Sequence, residues 1–255
     1  MTATTFIAPA AAPAMAKHAL ATSVLLHLFP GAAMAAIYVV IAPLGMRAGL
    51  PPLLILSVLA LAVLTPLELG HLLLLGRRGA GRWTLRGAVE LPRPTPAWRF
   101  GLILLVAVAA ALVLYGLSQP VDRWFARHVM GFLPPWFDYS GLASYRRLGR
   151  GVLVATVALR FVADVVVLPA AEELYFRGYL MPRIPGPAWI APIASAALFA
   201  AYHFWQPYNW PSIFCFSLPM IGAAWWRKDV RLSIAAHAAL NLIGFAAFAV
   251  AVLRP

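Results

Sequence analysis

The sequence predicts an all-α fold: a polytopic transmembrane helix bundle of about seven spans with an added interfacial amphipathic helix. Three observations predict it. Hydrophobic residues make up 63% of the 255 residues and charged residues only 11%, against roughly 45–50% and ~25% in soluble domains. The apolar residues gather in blocks of about twenty, the length a helix needs to cross a hydrocarbon core. The arginines collect in the stretches between blocks, where they set orientation and meet anionic head groups. Backbone polar groups must be paired inside lipid, so the blocks read as helices.

Taken in order, residues 1–19 are rich in Ala, Pro and Thr and read as a disordered tail. They lack the basic start of a signal peptide. The first span is Leu20–Ile41, with Pro30 and Gly31 as a bend. The second is Leu50–Leu75. Its Glu68 and His71 share a face and read as an internal polar pair near the membrane edge rather than as catalytic groups. Gly76–Arg99 is a basic loop, cytoplasmic by the positive-inside rule. Phe100–Leu117 is the third span. Val121–Phe132 alternates charge with bulk and reads as an interfacial amphipathic helix, followed by Trp136, Phe137, Tyr139 and Tyr145 as an aromatic belt.

Gly151–Leu168 is the fourth span, with Arg160 and Asp164 spaced to pair and Pro169 as a kink or break after it. Pro187–Trp205, Pro211–Trp226 and Leu232–Leu253 complete the seven. The chain divides into an N-terminal transmembrane region, 20–149, and a catalytic core, 150–255. Alternation from the basic loop puts the N-terminus inside. It also leaves a conflict of depth: His203 ends its span at the outer side, while Glu172 and His237 lie near the inner one.

The net charge of +12 is spread over the loops, so we expect lipid contact and no nucleic-acid partner. The single cysteine, Cys215, rules out an internal disulfide or a CxxC metal site.

Chemistry concentrates in Ala170–Tyr179, AAEELYFRGY. The chain has eight acidic residues in all, and two of them, Glu172 and Glu173, are adjacent here between apolar runs. A charged side chain at membrane depth costs at least ~2.5–3.5 kcal/mol and is usually paired or functional. Glu173 and Arg177 are one helical turn apart with the acid first, the better order for an ion pair. Glu172 points about 100° away around the axis and is free to face a cavity. His203, His237 and Asn241 are the other polar residues set in apolar segments, the last two four apart on one face. Two uses fit this set. A desolvated glutamate can act as a general base on water, with His203 holding the water and His237 and Asn241 facing the oxyanion. Alternatively Glu172, His203 and His237 hold a metal ion, zinc being the candidate. No HExxH occurs, so the zincin signature is missing.

The motifs EELYFR (Glu172–Arg177), FAAYH (Phe199–His203) and HAALN (His237–Asn241) resemble the EExxxR, FxxxH and HxxxN/D motifs of the CPBP (or ABI) family. That family comprises intramembrane proteases related to type II CAAX prenyl endopeptidases and bacteriocin-processing enzymes. Order and apolar setting match as well, over roughly Arg150–Leu253. The resemblance implies that Glu172 activates water with help from His203, and that His237 and Asn241 form the oxyanion side or join a metal site. It implies supporting roles for Glu173, Arg177 and Phe199.

The expected function is therefore an intramembrane endopeptidase acting on a membrane-anchored or lipid-modified peptide, in a bacterial cytoplasmic membrane. A non-proteolytic binding or immunity protein on the same fold is the main competitor. A proton-coupled transporter using the same polar residues is the second.

Overall fold

A computed structural model describes residues 16–89, 95–137, 139 and 141–254. Most of the predicted tail, and Glu90, Pro92, Arg93 and Pro94 of the basic loop, lie outside the described residues. The rest is helical, with no strand among the described residues. Seven long helices carry the architecture: α1 (Leu20–Arg47), α2 (Pro52–Ala80), α3 (Ala97–His128), α4 (Arg150–Arg183), α5 (Ile190–Tyr202), α6 (Trp210–Arg227) and α7 (Val230–Leu253). Five of them, α1 to α4 and α7, are long and apolar enough to cross a membrane. The chain is an all-helical integral membrane protein.

The helices stand where the apolar blocks are, but three boundaries move. The expected amphipathic helix at Val121–Phe132 does not exist as a separate element, because α3 runs through Pro120 to His128. Its Asp122 is buried and accepts a hydrogen bond from the Ser212 backbone N–H at 3.0 Å. That N–H is one of the unpaired donors at the start of α6, so Asp122 caps a neighbouring helix rather than facing head groups. Phe137 and Tyr145 of the expected aromatic belt are likewise buried in the bundle. The expected fifth span, Pro187–Trp205, shrinks to the 13 residues of α5. At 1.5 Å per residue that is about 20 Å, short of a ~30 Å hydrocarbon core. The chain leaves helical geometry at His203 (φ −77°, ψ 56°), passes through a 3₁₀ turn at Pro207–Asn209 and returns as α6.

This turn removes the conflict of depth. Met181, Ala188, Trp225, Lys228 and Val230 line one small pocket, so α4 ends, α5 starts, α6 ends and α7 starts at the same end of the bundle. From that end His203 lies about 20 Å in, Glu172 about 16 Å and His237 about 10 Å along their helices. All three come to the middle of the bundle.

The third change concerns Pro169, which does not break its helix. A proline has no N–H, and its ring presses on the carbonyl four residues earlier. Widening the preceding turn to the π form relieves that pressure. Each of the three π-helical segments, Ala60–Leu64, Phe161–Val167 and Leu174–Leu180, ends two residues before a proline: Pro66, Pro169 and Pro182. Pro30 likewise sits inside an unbroken α1. Its missing N–H frees the Leu26 carbonyl, which accepts a hydrogen bond from the Tyr175 hydroxyl of α4 at 2.8 Å. The neighbouring Gly31 lets α1 come close to α5: a Cβ there would lie 2.0 Å from the Tyr202 carbonyl oxygen. The described end of the predicted tail is also held, since the His18 N–H donates to Arg183 O (2.9 Å) and Lys17 Nζ to Pro182 O (3.0 Å).

Helix α7 is started by Asp229, whose carboxylate accepts from the Arg231 backbone N–H and ion-pairs with the Arg231 guanidinium at 2.7 Å. Burial raises the Asp229 pKa, but the hydrogen bonds from Arg231 and Thr95 together with the Arg231 charge outweigh burial and leave it below the usual carboxylate range. Asp229→Ala should lower stability by about 1 kcal/mol, as for a lost N-cap. Because the folded carboxyl is the stronger acid, that contribution is full above the unfolded pKa of ~3.9 and fades as pH falls below it. Thermal melts of wild type and variant should therefore differ at pH 7 and converge near pH 3.

Candidate active site

Helix α4 presents Glu172 and Glu173 on a short α-helical stretch, Leu168–Glu173, between two π segments. Glu173 turns toward Arg177: Oε2 and Nε are 3.2 Å apart, and both side chains are fully buried. The Arg177 guanidinium also lies over the face of Phe199, 4.0 Å from the ring centroid, an arrangement that favours a cation without hydrating it. Phe199 thus has an electrostatic reason to be aromatic. The other oxygen of Glu173 reaches across to α7 and accepts from His237 Nδ1 at 3.0 Å. This bond fixes the ring, so that His237 Nε2 looks toward Glu172 Oε2, 3.8 Å away.

His203 is set by its own helix end. Its Nδ1 donates to the Phe199 carbonyl at 2.7 Å, one of the last-turn carbonyls that a helix leaves unpaired. The four-residue spacing of Phe199 and His203 is what brings ring and carbonyl together. With the proton on Nδ1, Nε2 carries a lone pair. Asn241 is placed by α4 itself. In the π register Pro169 would donate to Asp164 O, five residues back, and it has no hydrogen to give. Asn241 Nδ2 takes that carbonyl instead, at 2.7 Å, and keeps one N–H to spare. The expected pair of Arg160 and Asp164 forms, at 3.2 Å.

Glu172, His203, His237 and Asn241 line one cavity of about 630 Å³, whose further wall includes Leu53, Leu56, Leu240, Ile243 and Phe248. Arg160, Gln206 and Asn209 line it as well, and such a mixed lining suits an extended, partly apolar ligand. Glu173, Arg177 and Phe199 stand behind that wall. Of the seven residues singled out in the sequence, four face the chamber and three hold them.

Two residues of the cluster escaped the sequence reading. The Tyr202 hydroxyl is 2.6 Å from Glu68 Oε1 and 3.2 Å from Glu172 Oε1. Glu68 is fully buried, not at an edge. Its expected partner His71 packs instead against the rings of Tyr175 and Tyr179. Periodicity marks Glu68 as inward-facing but does not say which helix it meets, and Tyr202 looks like any aromatic residue at the end of an apolar run.

Among the described residues no three His, Cys, Asp or Glu side chains are arranged to hold a metal ion. Glu172, His203 and His237 all face one chamber.

Residues 154–243 match the family model described as Rce1-like, type II CAAX prenyl endopeptidase. The matched stretch contains all seven residues singled out in the sequence and leaves out Glu68. The match covers about a third of the chain and agrees with the resemblance carried by the three motifs. No curated protein and no solved structure matches the chain significantly.

The buried ion pair is the point at which the site should be most fragile. Arg177→Met leaves Glu173 uncompensated in the interior and should cost about 3–5 kcal/mol. In detergent this should appear as a collapse of the thermal midpoint. The double variant Arg177→Met/Glu173→Leu, which removes both charges, should recover much of the loss.

Proposed function

We propose that the protein is an intramembrane endopeptidase that hydrolyses a membrane-anchored or lipid-modified peptide near its anchor, using Glu172 as general base. The observation that carries the reading is the disposition of Glu172. One carboxylate oxygen is tied to Tyr202, while the other faces His237 and the chamber. Water held between that oxygen and the lone pair of His203 Nε2 gives up a proton to Glu172 and attacks the scissile carbonyl. The oxyanion so formed lies on the α7 side, where His237 Nε2–H and the spare Asn241 N–H donate to it. In this reading the ring donates from both nitrogens, Nδ1–H to Glu173 and Nε2–H to the oxyanion. Glu172 then hands the proton to the leaving nitrogen, and the carboxylate is restored. Burial of the cluster keeps bulk water from competing for these hydrogen bonds.

The apolar wall of Leu53, Leu56, Ile243 and Phe248 is suited to a lipid or a hydrophobic side chain of the substrate. This agrees with the substrate class in the name of the matched family. We place the protein in a bacterial cytoplasmic membrane, on the strength of its Ala- and Arg-rich, Lys-poor sequence.

The test uses an internally quenched peptide that ends in an S-farnesyl cysteine followed by three residues, with protein in detergent or nanodiscs. Wild type should cleave it, and Glu172→Gln should lose at least about 10³-fold in kcat while keeping its thermal midpoint. Chelators should leave the wild-type rate unchanged. Cleavage lost to chelator contradicts the metal-free mechanism. Equal turnover by wild type and Glu172→Gln contradicts the enzyme reading and favours a binding role.

A further inference from the structure

Glu68 has no part in the mechanism above, yet it is buried on α2 against the hydroxyl that touches the proposed base. Three carboxyl groups, those of Glu68, Glu172 and Glu173, are gathered in this interior. Arg177 is the guanidinium among them, 3.2 Å from Glu173 and over the face of Phe199. That leaves Glu68 and Glu172 on either side of one hydroxyl, at 2.6 and 3.2 Å. A tyrosine hydroxyl has one hydrogen to give and can accept another. Two bare carboxylates on one hydroxyl would leave one oxygen facing an oxygen without a proton between them in the buried interior. One carboxyl group must supply the second hydrogen. The group that serves as base needs to be ionised, which leaves Glu68.

We propose that Glu68 is a positioning residue, a neutral carboxylic acid whose O–H donates to Tyr202, which donates in turn to Glu172 Oε1. The chain Glu68, Tyr202, Glu172 runs in one direction. It pins one oxygen of the base and leaves the other, Oε2, for water. The hydroxyl arrives at this place because Tyr202 is the last residue of α5 and because Gly31 lets α1 press on the Tyr202 backbone. Glu68 belongs to the N-terminal half of the chain, outside the matched stretch, so the half without a recognised motif contributes to the site.

The kinetic test rests on the hydrolytic reading, and a spectroscopic one stands without it. With the farnesylated quenched peptide, Tyr202→Phe and Glu68→Leu should each lower kcat about 10- to 100-fold with little change in KM, as for a lost hydrogen bond to a charged group. The double variant should be no slower than either single one. Glu68→Gln keeps a donor for Tyr202 and should recover most of the loss, to about a third of the wild-type kcat. In the infrared, the wild-type minus Glu68→Gln difference should contain the carbonyl band of a protonated carboxyl, and the wild-type minus Glu172→Gln difference should contain carboxylate bands. Carboxylate bands for Glu68, Glu68→Gln as dead as Glu172→Gln, or multiplying losses in a folded double variant would each overturn the proposal. If wild type cleaves nothing, the hydrolytic reading fails and the infrared result alone decides the role of Glu68.

Discussion

The ion pair between Glu173 and Arg177 is the constraint on which the rest of the bundle depends. Both side chains are fully removed from solvent, so neither charge could remain there without the other. Their partners are distributed over three helices: the pair itself on α4, the Phe199 ring on α5 and His237 on α7. Holding that pair therefore fixes the relative placement of the three helices that form the catalytic cluster. Glu172 is the neighbour left over, pointed away from the cation and toward the chamber. The two adjacent glutamates share the His237 ring but differ in their other partner, a guanidinium for Glu173 and the Tyr202 hydroxyl for Glu172.

Prolines do the second part of the organising. In a soluble helix an internal proline is a break. Here Pro30, Pro66, Pro169 and Pro182 lie within or at the end of long helices that widen or continue past them. Each missing N–H leaves a carbonyl that lipid cannot satisfy. Two of those carbonyls are taken by side chains that tie helices together: Leu26 O by Tyr175, and Asp164 O by Asn241. The second of these places a residue proposed to face the oxyanion. Prolines thus create docking points inside the bundle, and the polar residues that answer them hold the site in register.

Much of this was legible in the sequence. Apolar block length located all seven helices, and helical spacing predicted both ion pairs, Glu173 with Arg177 and Arg160 with Asp164. The three motifs identified the cluster because unpaired polar residues are costly in lipid and so rarely incidental. What was not legible has a common cause. Local rules make Pro169 a kink or break because they carry no information on π-widening. Asp122 was read as part of an interfacial face because periodicity cannot reveal that a helix start from another element needs a cap. Glu68 was assigned to His71, its neighbour in sequence, when its partner is Tyr202 on a distant helix. In each case a long-range polar contact overrode a local pattern, and a single sequence carries no signal for such a contact.

The account makes hydrolysis a direct attack by water, with no covalent bond between protein and substrate. The most direct test is turnover of the farnesylated peptide in ¹⁸O-labelled water, followed by mass spectrometry of both the products and the intact protein. One labelled oxygen should enter the new carboxylate, while the protein mass stays constant throughout turnover. A protein species heavier by the mass of the acyl fragment would contradict the account, because it would put a nucleophilic side chain where Glu172 and water are assigned.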